Sequence, residues 1–352
     1  MGAVGITVDI INDKALWDNF VDSSTSGSLF LKWDFLKIIE KYTDTELRTY
    51  GIYRGEELIC MIPLFYKNVS GVKMIFSPPP RTGVRNLGFV TAPIFNTVKQ
   101  RRKESYINTI VEDFTAEIKK ISPRYMSVSM VENFIDIREF QWAGYNVDIE
   151  YTYTMDLKRP LTSIWTGFGK DCKEGIRSAD RSRISFESTN DVALFYRFME
   201  ERYREQKLDL PLVKPDYLAE LLATFPDNIK LYVLRRDNKI VDLEVACGYK
   251  DRYRLWMGGA TIRKGSHGNQ EYSTWELIKL AKMQGYGSFE IMGANIRRLC
   301  VFQSKFNPDL EFYFSIYKKD LVGVIAEWSY MNVMKRAHRV QPIIGSGEGN
   351  VH

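Results

Sequence analysis

Residues 229–246 read IKLYVLRRDNKIVDLEVA, and residues 47–64 read LRTYGIYRGEELICMIPL. Each stretch consists of an apolar strand, a short polar turn and a second apolar strand, which is the pattern of a β-hairpin. The turns are Arg54-Gly55-Glu56 and Arg236-Asp237-Asn238, and Gly, Asp and Asn are residues that hairpin turns favour. The stretches begin at positions 47 and 229, an offset of 182 residues, so the pattern indicates one unit present twice.

The elements around each hairpin repeat in the same order. A helix is predicted before each hairpin, and a strand, a helix and a further strand are predicted after it. The predicted ranges are 33–42, 73–76, 100–121 and 125–130 in the first half, and 216–223, 253–257, 272–284 and 288–292 in the second.

The repeat predicts an α/β (α+β) protein with two tandem domains. The first is expected to cover residues 1–150 and the second residues 151–335, each with a mixed, mostly antiparallel sheet flanked by helices. Residues 336–352 are Gly-rich and are expected to form a disordered tail.

The net positive charge of the chain lies in its second half. The 352 residues are 45% hydrophobic and 26% charged, which is ordinary for a globular protein and excludes a disordered or collagen-like chain. Residues 1–150 hold 18 basic and 19 acidic side chains, whereas residues 151–352 hold 31 and 25, a net charge of +6. This excess suits an anionic small molecule bound in a cleft better than DNA.

The cysteines and histidines do not form a recognisable metal or catalytic motif. Cys60, Cys172, Cys247 and Cys300 are far apart, and the three histidines are scattered, so neither a zinc site nor a Ser-His-Asp triad is expected. Free thiols favour the cytoplasm. The apolar runs are too short for a membrane span, so at most peripheral membrane contact is expected.

The segment between the two copies carries a basic stripe. A strand is predicted at 151–157, and a helix is predicted from Leu161 with Thr162 or Ser163 as its N-cap. The basic side chains that follow recur every two to four residues, and this spacing indicates one basic helix face. They form either a solvated surface or an anion clamp that faces the cleft between the domains: Lys170, Lys173, Arg177, Arg181 and Arg183.

Short motifs along the chain resemble the FemAB group of doubled GNAT acyltransferases. That group includes aminoacyl-tRNA-dependent peptidoglycan bridge transferases and acetyltransferase-like proteins of envelope polysaccharide synthesis. The motifs are Leu29-Phe30-Leu31-Lys32-Trp33 with Lys37; Met155-Asp156-Leu157, Trp165, Phe168 and Lys173-x-x-x-Arg177-x-Ala179; Trp256-x-Gly258-Gly259-Ala260, Asn269 and Trp275-x-x-Ile278-x-x-Ala281; and Gly285 with Phe289-Glu290-Ile291-x-Gly293.

The chain also departs from the pattern of that group. The group's closing Phe-Lys-x-x-Phe-Gly reads Phe302-Gln303-Ser304-Lys305-Phe306-Asn307, so Gln303 stands where a lysine would stabilise charge near the reacting carbonyl. Lys305 would reach the same space on a strand but not on a helix. In the region 203–217, only Arg204 and Tyr217 match the substrate-binding residues of bridge-forming members.

The second hairpin places two acids in the middle of a strand. Asp242 and Glu244 alternate with Val241, Leu243 and Val245, so both acids point to one face. That face is either exposed to solvent, open to a cleft, or paired with basic groups, because buried unpaired acids are costly. Acyl transfer to an amine needs a proton acceptor, and Glu244 is the better candidate for a general base.

Two loops contain candidate anion sites. Arg263, Lys264, Gly265 and Gly268 precede a helix and could hold the pyrophosphate of coenzyme A, or form an ordinary turn. In the corresponding loop of the first copy, Arg81 and Arg85 could bind a substrate phosphate, or they could be ordinary loop side chains that bind no ligand.

The resemblance implies an acyl- or aminoacyltransferase that acylates an amino group of an anionic, nucleotide- or lipid-linked cell-envelope sugar or peptide precursor. The donor would be acyl-CoA or aminoacyl-tRNA, and no tightly bound cofactor is expected. Lys37, Arg177 and Lys305 would hold the acceptor's phosphate or polarise the carbonyl. Two alternatives remain: an acyl-CoA-dependent N-acetyltransferase that acts on another small amine, and a catalytically degenerate GNAT pair that serves as a binding module.

Overall fold

The structure is a computed structural model that describes residues 6–134, 136–180, 183–205, 214–260, 268–325 and 327–329. The expected disordered tail at 336–352 lies outside these residues. The helices are α1 Lys14–Ser23, α2 Trp33–Thr43, α3 Gln100–Ile121, α4 Arg138–Trp142, α5 Leu161–Gly167, α6 Lys170–Asp180, α7 Val192–Glu205, α8 Pro215–Thr224, α9 Asn269–Met283 and α10 Arg297–Gln303. The strands are β1 Ile6–Ile10, β2 Glu46–Arg54, β3 Glu57–Val69, β4 Val72–Ser77, β5 Val90–Thr91, β6 Tyr125–Ser129, β7 Asn146–Asp156, β8 Ile184–Thr189, β9 Ile229–Arg236, β10 Lys239–Tyr249, β11 Arg252–Ala260, β12 Ser288–Ile291 and β13 Asp309–Lys319.

Both predicted hairpins are confirmed. Strands β2 and β3 turn at Gly55, whose φ is +63°, and β9 and β10 turn at Asp237 and Asn238, with φ of +49° and +62°. These left-handed angles explain why Gly, Asp and Asn occupy the turns. The N-cap prediction for α5 is wrong, because Pro160 stands at that position and makes no side-chain cap hydrogen bond.

One sheet runs through the whole described molecule. Its order is β1-β2-β3-β4-β6-β13-β7-β12-β11-β10-β9-β8, with β5 attached to β3. The two copies lie side by side in it, since β4 and β6 are parallel in the first copy and β11 and β12 are parallel in the second. The tandem mixed-sheet architecture is therefore confirmed. The proposed domain division after residue 150 falls inside β7.

The two copies exchange strands where they meet. Strand β7 follows the first copy in the chain but pairs with β12 of the second, whereas β13 follows the second copy and pairs with β6 of the first. Strands β7 and β13 also pair with each other, from Asp309 opposite Thr154 to Tyr317 opposite Asn146. Backbone hydrogen bonds thus join the halves and fix their relative position.

Apolar packing reinforces this junction. The ring of Phe35 on α2 lies 6.0 Å from that of Trp256 on β11 and 5.8 Å from that of Phe225, so the first copy's helix packs directly on the second copy. All four cysteines are free, and Cys60 and Cys247 are buried as the sequence predicts. Among the described residues, no helix has both the length and the apolar character needed to cross a membrane.

Candidate active site between the parallel strands of the second copy

The candidate site is a gap between two parallel strands. Strands β11 and β12 stay paired only from Arg252 opposite Ser288 to Leu255 opposite Ile291, and beyond these residues they separate. Residues of both strands, together with α7 and α10, line a cavity of about 260 Å³ in this gap. A β-bulge marks the point of separation, because Val245 of β10 faces Met257 while Ala246 faces Leu255, so that Trp256 is the extra residue.

Two glycines on β11 make room for charged side chains at the cavity. Gly258 lies opposite Glu244, and a Cβ at Gly258 would come within 2.7 Å of the Glu244 carboxylate. A Cβ at Gly259 would come within 2.8 Å of the Arg202 guanidinium. Both glycines also have positive φ, +125° and +137°, which side-chain-bearing residues rarely adopt. The Glu244 carboxylate and the Arg202 guanidinium therefore leave room only for glycine at positions 258 and 259.

The carboxylates of Asp242 and Glu244 are buried together beside Arg202. The exposed fractions are 0% for Asp242 and 2% for Glu244, so the solvent-exposed interpretation of this strand face is wrong. Both oxygens of Asp242 and Oε1 of Glu244 make no hydrogen bond with the described residues. Glu244 lines the cavity. A buried carboxylate that faces a cavity without a hydrogen-bond partner is suited to accept a proton from a ligand.

Burial controls the protonation of this pair. Burial raises the pKa of Asp242 to about 7, while Arg202 opposes the shift. Burial also raises the pKa of Glu244 well above its ordinary value, Asp242 raises it further, and Arg202 again opposes the shift. The pair therefore holds a proton under conditions in which exposed carboxylates are ionised.

We predict that Asp242→Asn raises the melting temperature by a few degrees at alkaline pH. The pKa of Asp242 is higher in the folded chain than the unfolded value of about 3.9, so wild-type stability falls as the pH rises from about 4 to about 7 and stays low above it. Asparagine lacks this ionisation, and the difference should vanish below about pH 4. Thermal melts of the wild type and of Asp242→Asn over a range of pH measure this difference in melting temperature. Asp309→Asn, at an exposed position, is the control. Equal melting temperatures of wild type and Asp242→Asn at pH 9 would contradict the burial argument.

The first copy contributes one wall of the cavity. Gly83 and Arg85 line it, and two hydrogen bonds hold their loop in place: Trp256 Nε1 donates to the Gly83 carbonyl at 3.0 Å, and Tyr217 Oη donates to the Thr82 carbonyl at 3.0 Å. Nη1 of Arg85 is buried and makes no hydrogen bond with the described residues. Arg85 thus brings a guanidinium of the first copy to the cavity, whereas the buried Tyr217 anchors the loop.

The corresponding gap of the first copy is closed by its own backbone. Strands β4 and β6 separate after Ser77 and Val128, as β11 and β12 do in the second copy. The amides of Leu87 and Gly88 enter this gap and donate to the Ser129 carbonyl at 3.2 and 2.8 Å. A Cβ at Gly88 would lie 2.8 Å from the Met130 Cα, so the fit is tight. The duplicated fold thus has an open gap in the second copy only, as far as the described residues show.

Gln303 and Lys305 do not share one space. Gln303 lines the cavity, and its Nε2 donates to the Met292 carbonyl at 2.7 Å. Lys305 lies in a helical turn, and its Nζ is 3.1 Å from Asp171 Oδ2 and 3.3 Å from Glu271 Oε1. The structure corrects the expectation that Lys305 takes the place of the group's lysine, because the helical turn directs it to these acids rather than into the cavity.

The other predicted substrate-binding residues lie outside the cavity lining. Lys37 is exposed on α2 and pairs with Glu40 at 2.6 Å. On α6, Lys173 donates to the Thr166 carbonyl at 3.2 Å and Arg177 lies over the Trp165 ring at 5.6 Å, so the cleft-facing clamp is corrected to an outer helix surface. Arg204 is exposed near the end of α7, and Arg81 is half-buried with a φ of +68°.

The predicted coenzyme A loop falls mostly outside the described residues, which omit Arg263, Lys264 and Gly265. Gly268 is described and precedes α9, where a Cβ would come within 2.1 Å of the Gly175 carbonyl oxygen on α6. Helix α6 therefore packs directly against the start of α9. The first turn of α9 also carries Glu271, which is buried and pairs with Lys305. This end of the helix is crowded and holds a carboxylate of its own.

A buried ion-pair network lies behind the cavity. Glu290 on β12 accepts from Arg254 Nε at 2.7 Å and from Thr152 Oγ1 at 2.8 Å. Burial alone would raise the pKa of Glu290, but the guanidiniums of Arg254, Arg252 and Arg85 outweigh it and hold the pKa below its ordinary value. Because Thr152 belongs to the exchanged strand β7, the network ties this strand to β11 and β12.

Sequence reasoning missed several cavity residues, namely Arg202, Tyr203, Gln270 and Arg298. A signal existed for Arg202, because two acids on one strand face require a nearby cation if they are buried. The sequence does not indicate which cation this is, however, because only the fold brings Arg202 on α7 next to β10. Among the described residues, no cluster of His, Cys, Asp and Glu is suited to a metal ion.

Comparison with known proteins relates part of the chain to a domain family and the whole fold to solved structures. Residues 168–297 match the acetyltransferase (GNAT) domain family, and no curated protein matches the chain. The structure of FemX superimposes with a TM-score of 0.66 at 10% identity, covering 88% of this chain and 96% of FemX. The C-terminal domain of a putative lysylphosphatidylglycerol synthetase from Agrobacterium fabrum gives 0.54 at 12%, covering 92% and 96%.

A tandem GNAT protein from the clavulanic acid biosynthesis pathway has a TM-score of 0.53 at 9% identity, covering 89% of this chain and 98% of that one. The family match spans α7, β10, β11 and β12, which contribute residues to the cavity lining. The structural likenesses extend over both copies. Together, the likenesses show that the chain has a tandem GNAT fold, and residues 168–297 match the acetyltransferase (GNAT) domain family.

Proposed function

We propose that the protein transfers an acyl or aminoacyl group to an amine in the cavity between β11 and β12. The observation that carries this proposal is the buried carboxylate of Glu244, which lines the cavity beside Arg202 and has an oxygen without a hydrogen-bond partner among the described residues. The amine nitrogen attacks the carbonyl carbon of the donor and a C–N bond forms. The bond to the donor's leaving group breaks, and Glu244 accepts the proton of the nitrogen.

The backbone at the bulge is proposed to polarise the donor's carbonyl. Trp256 is the extra residue there, and the register with β12 ends one residue earlier. Bulges beside active sites commonly redirect backbone groups towards a ligand. Gln303 cannot supply the positive charge of the lysine that it replaces, and its amide instead supports the end of β12 through the Met292 carbonyl.

The charge of the cavity favours an anionic acceptor. Its described lining includes Arg85, Arg202 and Arg298, with Glu244 as the opposing acid. Arg85 is the proposed anion ligand, because it lines the cavity and its buried Nη1 has no hydrogen-bond partner among the described residues. The likeness of fold to FemX and to the lysylphosphatidylglycerol synthetase domain supports a nucleotide- or lipid-linked envelope precursor that carries an amino group.

An aminoacyl donor is favoured over acyl-CoA by the start of α9. A coenzyme A pyrophosphate would need exposed amides at such a helix start. Here α6 covers Gly268, and Glu271 places a carboxylate in the first turn. The acyl-CoA-dependent N-acetyltransferase is the second candidate. The GNAT domain match supports it.

A donor comparison tests the proposal. Purified protein is incubated with amine acceptors, including amino-bearing nucleotide and lipid precursors, and with either labelled acetyl-CoA or labelled aminoacyl-tRNA. We expect amide formation with the tRNA donor and no thermal stabilisation by coenzyme A. Stabilisation by coenzyme A together with acetyl transfer would establish the second candidate. Transfer from neither donor to any acceptor would overturn the proposal in favour of a binding module.

A further inference from the structure

A recess beside the start of α3 is lined by cations and by no acid among the described residues. It lies between the end of β2 and the first turns of α3, and its volume is about 610 Å³. Three of its lining residues are uncharged, and the others are Arg54, Lys99, Arg101 and Arg102. We call this feature the basic recess. It concentrates positive charge locally, since residues 1–150 hold 18 basic and 19 acidic side chains in all.

The four cations of the basic recess form no ion pair with the described residues. Arg54 Nη1 and Arg102 Nε donate instead to one shared acceptor, the Tyr106 hydroxyl, at 3.1 and 2.8 Å. Glu57 is opposite Arg54 in the hairpin, yet the Arg54 guanidinium contacts α3. Two like charges held side by side repel each other. An anion bound in the recess would offset this repulsion.

Tyr106 holds the two guanidiniums in place. Its side chain is buried, and its ring lies 5.2 Å from that of Phe95. The Cζ atoms of Arg54 and Arg102 lie 5.3 and 5.5 Å from the centroid of this ring. A ligand would thus meet guanidiniums that are already positioned, which lowers the entropy cost of binding. Guanidiniums bind phosphate through paired hydrogen bonds, so a phosphorylated ligand fits the recess.

The position of the basic recess in the sheet favours a large ligand. Strand β12 comes six places after β2 in the strand order, which is a distance of roughly 30 Å at about 4.8 Å per strand. A ligand that reaches both the recess and the cavity beside β12 must therefore be a macromolecule, and RNA carries a phosphate at every nucleotide. A bilayer fits less well, because the cations line an indentation and the apolar residue of the described lining, Val98, is half-buried.

We propose that the basic recess binds the phosphate backbone of an aminoacyl-tRNA donor whose aminoacyl end lies in the cavity between β11 and β12. Contacts to the backbone fix the position of a nucleic acid without reading its sequence. The first copy thus holds the RNA of the donor, and the second copy carries out the transfer. This inference rests on the proposed function, because it requires the tRNA donor.

Filter binding of labelled, uncharged, unfractionated tRNA to the full chain tests the inference. The triple variant Arg54→Gln/Arg101→Gln/Arg102→Gln should bind at least about tenfold more weakly than the wild type at low salt, because three phosphate contacts are lost. For the same reason, the slope of log affinity against log salt concentration should become smaller by roughly 2–3. Arg101→Gln alone breaks no described contact and should weaken binding a few-fold.

Two controls separate the recess from net charge and from chemistry. Lys14→Gln/Lys41→Gln/Lys120→Gln removes the same charge from exposed cations of the first copy that pair with acids, and it should bind tRNA like the wild type. Glu244→Gln should also bind like the wild type, because uncharged tRNA has no group to transfer.

Three results would overturn the inference. They are the absence of tRNA binding by the wild type, wild-type binding by an arginine triple variant that melts at the wild-type temperature, and equal weakening in the lysine triple variant. Co-sedimentation with phosphatidylglycerol vesicles that the arginine variant abolishes, while its tRNA binding is intact, would assign the recess to a bilayer instead. The proposed function fails separately, through the absence of transfer by an enzyme that binds tRNA.

Discussion

Replacement of Glu244 by glutamine is expected to lower the turnover of acyl transfer by about 10²- to 10⁴-fold. The amide has nearly the size of the carboxylate, so the space beside Gly258 stays filled, yet it cannot accept the amine's proton. The effect should appear in kcat more than in KM, because the proton moves in the transition state. Glutamine also removes a buried ionisable group, so the variant should melt no lower than the wild type at pH 8.

The pH dependence separates this role from a structural one. Wild-type turnover should rise with pH as the Asp242–Glu244 pair loses its proton, because burial raises both pKa values and Asp242 raises that of Glu244 further. Glu244→Gln should lose this rise together with its activity. Glu174→Gln, at an exposed position of α6, is the matched control and should keep the wild-type profile. A Glu244→Gln enzyme within a few fold of wild-type turnover would show that another group takes the proton.

Removal of the Glu290 carboxylate should destabilise the fold by about 3–5 kcal/mol. Arg254 is 5% exposed and makes its 2.7 Å hydrogen bond to Glu290, so Glu290→Ala leaves a buried guanidinium without its main partner. Thr152 of the exchanged strand β7 loses its acceptor as well. Denaturant unfolding monitored by circular dichroism gives the difference in the free energy of unfolding.

Two further variants identify the origin of that loss. Combining Glu290→Ala with Arg254→Met should recover part of the stability, because no charge then remains buried alone. Glu187→Ala breaks an exposed pair with Arg235 at 3.2 Å and should cost less than about 1 kcal/mol. Equal losses in Glu290→Ala and Glu187→Ala would mean that the buried network contributes no more than a surface ion pair.

The local elements of this fold could be read from the sequence, whereas its long-range pairings could not. The hairpin at Asp237-Asn238 needs left-handed residues at its turn, and those residues stand there in the sequence. The exchange of β7 and β13 depends on pairing between residues far apart in the chain, for which alternation along one strand carries no signal.

The candidate site likewise contains residues that the sequence could predict and residues that only the fold brings together. The sequence could indicate Glu244 as a candidate site residue because an acid in the middle of a strand is costly to bury without a partner. It could indicate Arg85 because this residue lies in a loop after a strand. Lys305 was misplaced because its usefulness depended on whether its segment was a strand, and the segment is helical. Arg202 was missed because only packing brings α7 to β10. The open gap itself depends on where β11 and β12 separate, and a sequence does not specify that point.

The position of the transferred group tests the central claim most directly. A crystal structure with the N-acylated product should place its amide in the gap between Gly258 and Met292, with the nitrogen within about 3.2 Å of a Glu244 oxygen. An amide held elsewhere, for example in the cavity beside Thr25 and Lys103 of the first copy, would contradict the assignment of the reaction to the second copy's gap.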